Sequence, residues 1–263
     1  MFNRIRLKTE AEIELIKISS LLVGKTLAEV AKAIRPGVPL LHLDKIAEEF
    51  IRDHQAVPSF KGYNGFPASL CLSVNDVVVH GIPNEQVLME GDIISVDCGV
   101  YKNGFHGDYA YTFAVGEISE EKKLLVKRTK ESLYKGIEAA VAGHTTGHIG
   151  HAVQSHVEKF GYGVVKELCG HGIGKDMHER PDVLNYGKPG KGDLLKEGMV
   201  ICIEPMITYK SPKIYMEDDN WTIRTVDGEP AAHFEHQIAL TAKGTEVLST
   251  YQYIEEVLGN TII

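Results

Sequence analysis

Apolar residues near the start of the chain fall into helical register. Between residues 9 and 34, Ile13, Ile16, Leu21, Leu22, Leu27, Val30 and Ala31 recur at the spacing of one helix face. Thr9 followed by Glu12 predicts a capping box at its start. Arg35-Pro36-Gly37 predicts its stop. Residues 41–54 predict a second helix, and 119–141 and 147–160 two more, with Ser119 as an N-cap and Gly143 as a stop. Each helix pair is followed by strand-like runs: ISVDCGV and FHGDYAYTF after the first, Met199–Ile203 and HFEHQIALT after the second. Helices kept apart from largely antiparallel strands predict an α+β layer fold.

The two halves echo each other. Glu90-Gly91 opens an apolar run ending at Asp97, and Glu197-Gly198 opens another ending at Glu204. His80-Gly81-Ile82 lies upstream of the first run and His171-Gly172-Ile173 upstream of the second. Downstream stand His106-Gly107-Asp108 and His233-Phe234-Glu235. Three echoes in one order predict a repeated plan, with halves of about 1–116 and 117–263 packed as a single catalytic domain, 1–263.

The first strand pair carries candidate chemistry. Tyr101-Lys102-Asn103-Gly104 is a hairpin signal. If Lys102 and Asn103 make the turn, paired residue numbers sum to 205 and Asp97 faces Asp108; if Asn103 and Gly104 make it, the sum is 207 and the two are diagonal. Either odd sum puts both aspartates on one face. Two buried carboxylates that close repel, so one takes a proton or a cation sits between them. A divalent metal is the simplest resolution. The second half offers Glu204 at a strand end and Glu235, which the alternation of HFEHQIALT places on a face with Gln237 and Ala239. His171 opens a glycine-rich turn that permits close backbone approach. Four carboxylates and one imidazole can hold two divalent ions, two carboxylates bridging. His144, His148 and His151 share a helix face without acidic or cysteine partners at ligand spacing, and with His42, His54 and His156 are expected to be solvated.

Composition narrows the class. Of 263 residues, 28 are Lys or Arg and 36 are Asp or Glu, a net charge of −8, which argues against a broad basic nucleic-acid face. The hydrophobic fraction of 43% suits a chain that buries a full core, not a disordered one. No run reaches the roughly 18 apolar residues of a membrane span. The stretch 1–12 lacks the apolar core of a signal peptide, so a cytoplasmic protein is expected. Cys71, Cys98, Cys169 and Cys202 form no CxxC pair and are expected to be reduced thiols.

The segments SVNDVVVHGIP, ISVDCGV, GFHGDYAYTF, CGHGIGKDMHE, CIEPM, WTIRTVDG and FEH resemble the type I methionine aminopeptidases, of the pita-bread fold, from about residue 4 to 250. The resemblance implies a pseudo-twofold repeat with helices on one face of a curved sheet. It implies metal ligation by Asp97, Asp108, His171, Glu204 and Glu235, with Asp108 and Glu235 bridging two ions. It places His80 at the scissile region and His178 at the substrate carbonyl, with Glu204 relaying a proton. It puts Tyr63, Phe66, Cys71, Met177 and Trp221 around the methionine side chain. Met177, before the second histidine, stands where the family commonly has phenylalanine, Phe66 where tyrosine is common, and Phe60 where a small thiol can occur. The 31 residues from Glu204 to Glu235 leave no room for the helical insertion of the type II enzymes.

The implied activity is removal of the initiator methionine from nascent chains with a small second residue, by a hydroxide held between two ions. An oxygen-rich ligand set favours Mn, Fe or Co, with Zn allowed. A monomer working near the ribosome, away from membranes and without reading nucleic-acid sequence, is expected. The rival is a proline-directed aminopeptidase or prolidase, whose members carry an extra amino-terminal domain and another histidine near the metals. A metal-free peptide-binding module would have lost ligands, and all five are present here.

Overall fold

The computed structural model describes residues 4–259; residues 1–3 and 260–263, the outermost parts of the expected domain, lie outside the described residues. Helix α1 spans Glu10–Ala31 and opens on the expected capping box, with Glu12 N donating to the Thr9 hydroxyl and Thr9 N to the Glu12 carboxylate at 3.0 Å. Such a cap is worth about 1 kcal/mol. Past Ala31 the chain tightens into i→i+3 bonds, Ala33 N to Val30 O and Ile34 N to Ala31 O, so the helix ends before Ile34. Its inner face buries Ile16, Val23, Leu27 and Val30. Each such side chain removed from water contributes roughly 1.5–3 kcal/mol.

Helix α2 is Leu40–Asp53, α3 is Glu120–Ala139 behind a Ser119 cap, and α4 is Thr146–Glu158. Gly143, at φ +90°, lies in the turn between α3 and α4. A fifth helix, α5 (Gln252–Leu258), was not expected. None of the helices among the described residues is long and apolar enough to cross a membrane.

All strand pairings are antiparallel. In the first half, Ile93–Lys102 lies between Leu70–Val74 and Phe105–Ala114. In the second, Val200–Ile203 lies between Gly170–Gly172 and His236–Thr241. The same three-strand arrangement thus occurs twice, which is the echo seen in the sequence. Helix α1 packs on the first hairpin, and α3 on Ala231–His233 and neighbouring strands. Where the halves meet, Glu235 N donates to Ala110 O at 3.1 Å.

Two local expectations need correction. Glu235 does not lie in a continuous strand: it falls between Ala231–His233 and His236–Thr241, where the chain changes partner. His148 and His156 are not free solvated groups. His148 Nδ1 accepts from Thr145 N at 3.0 Å and caps α4, and His156 Nε2 sits 3.0 Å from Glu131. The cysteines are free, with Cys71, Cys98 and Cys202 buried and Cys169 partly so.

Candidate functional site

The first hairpin turns on Asn103 and Gly104, at φ +54° and +86°, a conformation that Asn and Gly tolerate best. Paired numbers therefore sum to 207, with Asp97 opposite Ala110 and Gly99 opposite Asp108. The aspartates are diagonal neighbours on one face, the second of the two expected registers. On the other side Asp97 pairs with Cys71, which brings that thiol to the same face.

The second half closes over them. Glu204 follows the strand Val200–Ile203, and its backbone oxygen accepts from the Asn185 amide at 3.0 Å. Glu235 is pinned by the Tyr251 hydroxyl, which lies 3.1 Å from its N–H and 2.7 Å from its carbonyl oxygen. Gly170 must be glycine for this closure: a Cβ there would stand 2.3 Å from Cys202 O. That close approach seats His171 over the carboxylates. Its Nδ1 is 2.9 Å from Gly172 O. A carbonyl only accepts, so Nδ1 carries the proton and the bare Nε2 faces Asp108 Oδ2 at 3.8 Å and Glu204 Oε1 at 3.6 Å.

Four carboxylates now share one poorly solvated pocket. Asp108 is 3% exposed and Glu235 2%, and Asp97 Oδ1, Asp108 Oδ1 and Glu235 Oε1 have no hydrogen-bond partner. Two like charges 4 Å apart repel by about 4 kcal/mol in such surroundings. Without a cation the group must take up protons. Burial pushes Asp97 up to about 7 and raises Asp108, Glu204 and Glu235 well above the usual carboxylate range, mutual repulsion adding to the last three. Burial holds His171 neutral, down to about 3, so its Nε2 lone pair is available to an ion. Unmet oxygens, an imidazole in the ligating tautomer and clustered negative charge all suit divalent cations.

A cavity of about 340 Å³ opens onto this cluster, lined by Tyr63, Phe66, Cys71, His80, His178 and Trp221 together with Asp97, Asp108, His171, Glu204 and Glu235. Phe66 meets the Trp221 ring edge-on at 5.1 Å. His80 ends the strand Val77–Val79 at φ +58°, a left-handed conformation that costs a non-glycine residue roughly 1–2 kcal/mol and often marks a functional position. His178 stands at the rim, its Nδ1 2.7 Å from the Tyr63 hydroxyl and its ring 4.3 Å from that of His171. Desolvation lowers the pKa of both, His80 to about 4.

Met177 is 2% exposed and packs with Phe60, Phe66 and Cys71, three groups of the cavity wall. The backbone turn that presents His178 outward sends its neighbour inward. The sequence reading passed over Asn64, Glu167, Leu168 and Met206 as lining groups. It also passed over Cys202, whose sulfur lies in one cluster with Asp108, His171 and Glu235, and His233, clustered with Glu204 and Glu235. His233 had a signal, since it opens the echo His233-Phe234-Glu235. The others had none in local pattern.

The sequence profile of metallopeptidase family M24 matches residues 14–242. The methionine aminopeptidase of Clostridium acetobutylicum is 52% identical over 246 residues, 93% of this chain and 98% of that protein. The crystal structure of methionine aminopeptidase from Rickettsia prowazekii superposes with a TM-score of 0.93 at 38% identity, over 94% of this chain and all of that one. An Xaa-Pro dipeptidase from Bacillus anthracis shares the fold, with a TM-score of 0.77, but at 25% identity and over 62% of its own length, against 93% of this chain. The fold is the pita-bread fold of these enzymes. By sequence, fold and the donors gathered in its cavity, the chain belongs to metallopeptidase family M24, with the methionine aminopeptidases.

Proposed function

We propose that the protein removes the amino-terminal methionine from polypeptides whose second residue is small, and that Asp97, Asp108, His171, Glu204 and Glu235 would hold the two divalent ions this needs. The observation that carries this reading is the set of buried carboxylate oxygens without partners beside the bare Nε2 of His171. When bound, such ions supply Lewis acidity and lower the pKa of water toward neutrality.

The chain's own groups do the rest. The Tyr63 hydroxyl donates to His178 Nδ1, so His178 Nε2–H is free to donate to the substrate carbonyl oxygen as charge grows there. Glu204, at the cavity edge, accepts a proton from the attacking water and passes it to the departing amine. His80 hydrogen-bonds near the scissile nitrogen. Phe66, Cys71, Tyr63 and Trp221 enclose the first side chain, a surface of rings and sulfur that suits a flexible thioether. Met177, packed with Phe66 and Cys71, completes that surface.

Oxygen donors outnumber nitrogen, which favours Mn, Fe or Co over Zn. The substrates are the amino termini of nascent chains. The protein works as a cytoplasmic monomer near the ribosome. The test is a panel of Met-Ala-Ser and Gly-Pro peptides, assayed after chelation and after return of each metal. Metal-restored cleavage of Met-Ala-Ser is expected; preferential cleavage of Gly-Pro would favour the proline-directed reading.

A further inference from the structure

One buried side chain outside the expected ligand set faces the carboxylates with nothing bonded to it. His233 is 2% exposed, and its Nε2 has no hydrogen-bond partner, 3.7 Å from Oε2 of Glu204. A polar atom left unmet in the interior costs roughly 1–3 kcal/mol, so a ring held there calls for a partner.

The backbone of His233 is locked to the opposite half. Its N–H is shared between Ser95 Oγ at 3.2 Å and Thr112 Oγ1 at 3.1 Å, and its carbonyl accepts from Thr112 Oγ1 at 2.6 Å. Ser95 and Thr112 stand on the strands that carry Asp97 and Asp108. On its other edge His233 pairs with Met206, two residues beyond Glu204. This one residue therefore connects the aspartate strands to the Glu204 carboxylate.

We infer that His233 is a positioning residue: its Nε2–H donates to Oε2 of Glu204 and sets the orientation in which that carboxylate carries a proton. The inference rests on the role given to Glu204 above. Its oxygens divide the work, with Oε1 toward His171 Nε2 at 3.6 Å and Oε2 toward His233. A shift of under about 1 Å brings the second contact into hydrogen-bond range. The competing role is direct ligation, because ligand atoms of Glu204, His233 and Glu235 lie within 4.8 Å of one another. Ligation needs a bare Nε2, whereas positioning needs Nε2–H, so the two roles exclude each other.

The experiment compares the parent with His233→Leu and His233→Gln. With Met-Ala-Ser, His233→Leu is expected to lower kcat roughly 10- to 100-fold, the usual cost of losing a group that orients a ligand, with KM little changed. His233→Gln keeps an N–H donor and is expected to restore most of the rate. Calorimetric titration with Mn should give the same metal stoichiometry in all three proteins. Nitrogen NMR of the histidine-labelled parent should show His233 protonated at Nε2. Loss of a metal equivalent in His233→Leu would overturn the inference in favour of ligation, and an unchanged kcat would reduce His233 to packing. A proton on Nδ1 with Nε2 bare would also overturn it, even if neither variant folds. Failure of the parent itself to cleave Met-Ala-Ser would instead reject the proposed function, and the NMR result would still decide the state of His233.

Discussion

At Asp108 and Glu235 the demands of folding and of chemistry oppose each other. Both are almost fully buried and both keep an oxygen without a partner, a state that a fold alone would select against. Asp108→Asn and Glu235→Gln are therefore expected to weaken metal uptake by well over about a hundredfold, since changes even outside the ligand shell cost roughly 10–100-fold. Hydrolysis should vanish with the metal, while the metal-free fold survives or gains stability. Calorimetry with Mn and a peptide assay on the same samples check this. Full activity in a natively folded variant would contradict the bridging role. The two aspartates were legible in the sequence because strand parity is local: Asp97 and Asp108 share a face in either register of a two-residue turn. His233 and Cys202 were not, because their importance depends on where a distant part of the chain is brought.

Elements hold these residues in place from unexpected directions. The segment 174–178, which carries Met177 and His178, is anchored by Glu179. Its carboxylate accepts from Lys175 N at 3.1 Å and Asp176 N at 3.3 Å, and pairs with the buried Lys8 at 2.8 Å. Lys8 comes from the stretch before α1, whose N–H in turn donates to Gly198 O. Removing Lys8 leaves the buried Glu179 only the exposed Arg6, at 3.3 Å, as a cationic partner, so Lys8→Met is expected to cost up to about 3 kcal/mol in denaturant unfolding. Amide exchange should rise in 174–178. A loss below about 0.5 kcal/mol, the usual range for a surface change, would show that the pair is not holding the segment. At Gly170 an added methyl meets Cys202 O at 2.3 Å, so Gly170→Ala should push the His171 strand away from Val200–Ile203 and weaken metal affinity more than it weakens the fold. Titration calorimetry against thermal melting separates the two. The four main helices were legible from their apolar period and caps. Helix α5 was not, because a seven-residue element gives too little pattern, and so the Tyr251 clamp on Glu235 was missed with it.

For the molecule as a whole, the cavity links pH, metal and stability. Asp97 titrates near 7 in the fold, far above an unfolded aspartate near 3.9, so the folded state holds a proton that the unfolded state has lost. That contribution is complete below about pH 4 and fades as pH rises through 7. The buried histidines run the other way: His80, His171 and His233 are depressed to about 3 or 4, so their contribution grows up to the unfolded value near 6.5 and is flat above it. The two trends oppose each other below pH 6.5, and only the carboxylates act above it. The metal-free protein should therefore lose stability between about pH 6.5 and 8, while a metal-loaded sample should not. Thermal melts with and without chelator check this; parallel curves would mean that the carboxylates are not coupled as described. The repeated plan behind the cavity was visible in three short echoes, because each half repeats the same strand order. How the halves close over each other was not, since it depends on packing between groups more than a hundred residues apart.

The most direct test is anomalous diffraction from crystals of the protein soaked with Mn. Two peaks are expected in the cavity, one toward Asp97 and one toward His171 and Glu204, with Asp108 and Glu235 touching both. A cavity without anomalous signal at saturating Mn, or Mn bound only on the outer acidic surface, would contradict the claim that cations hold these carboxylates together.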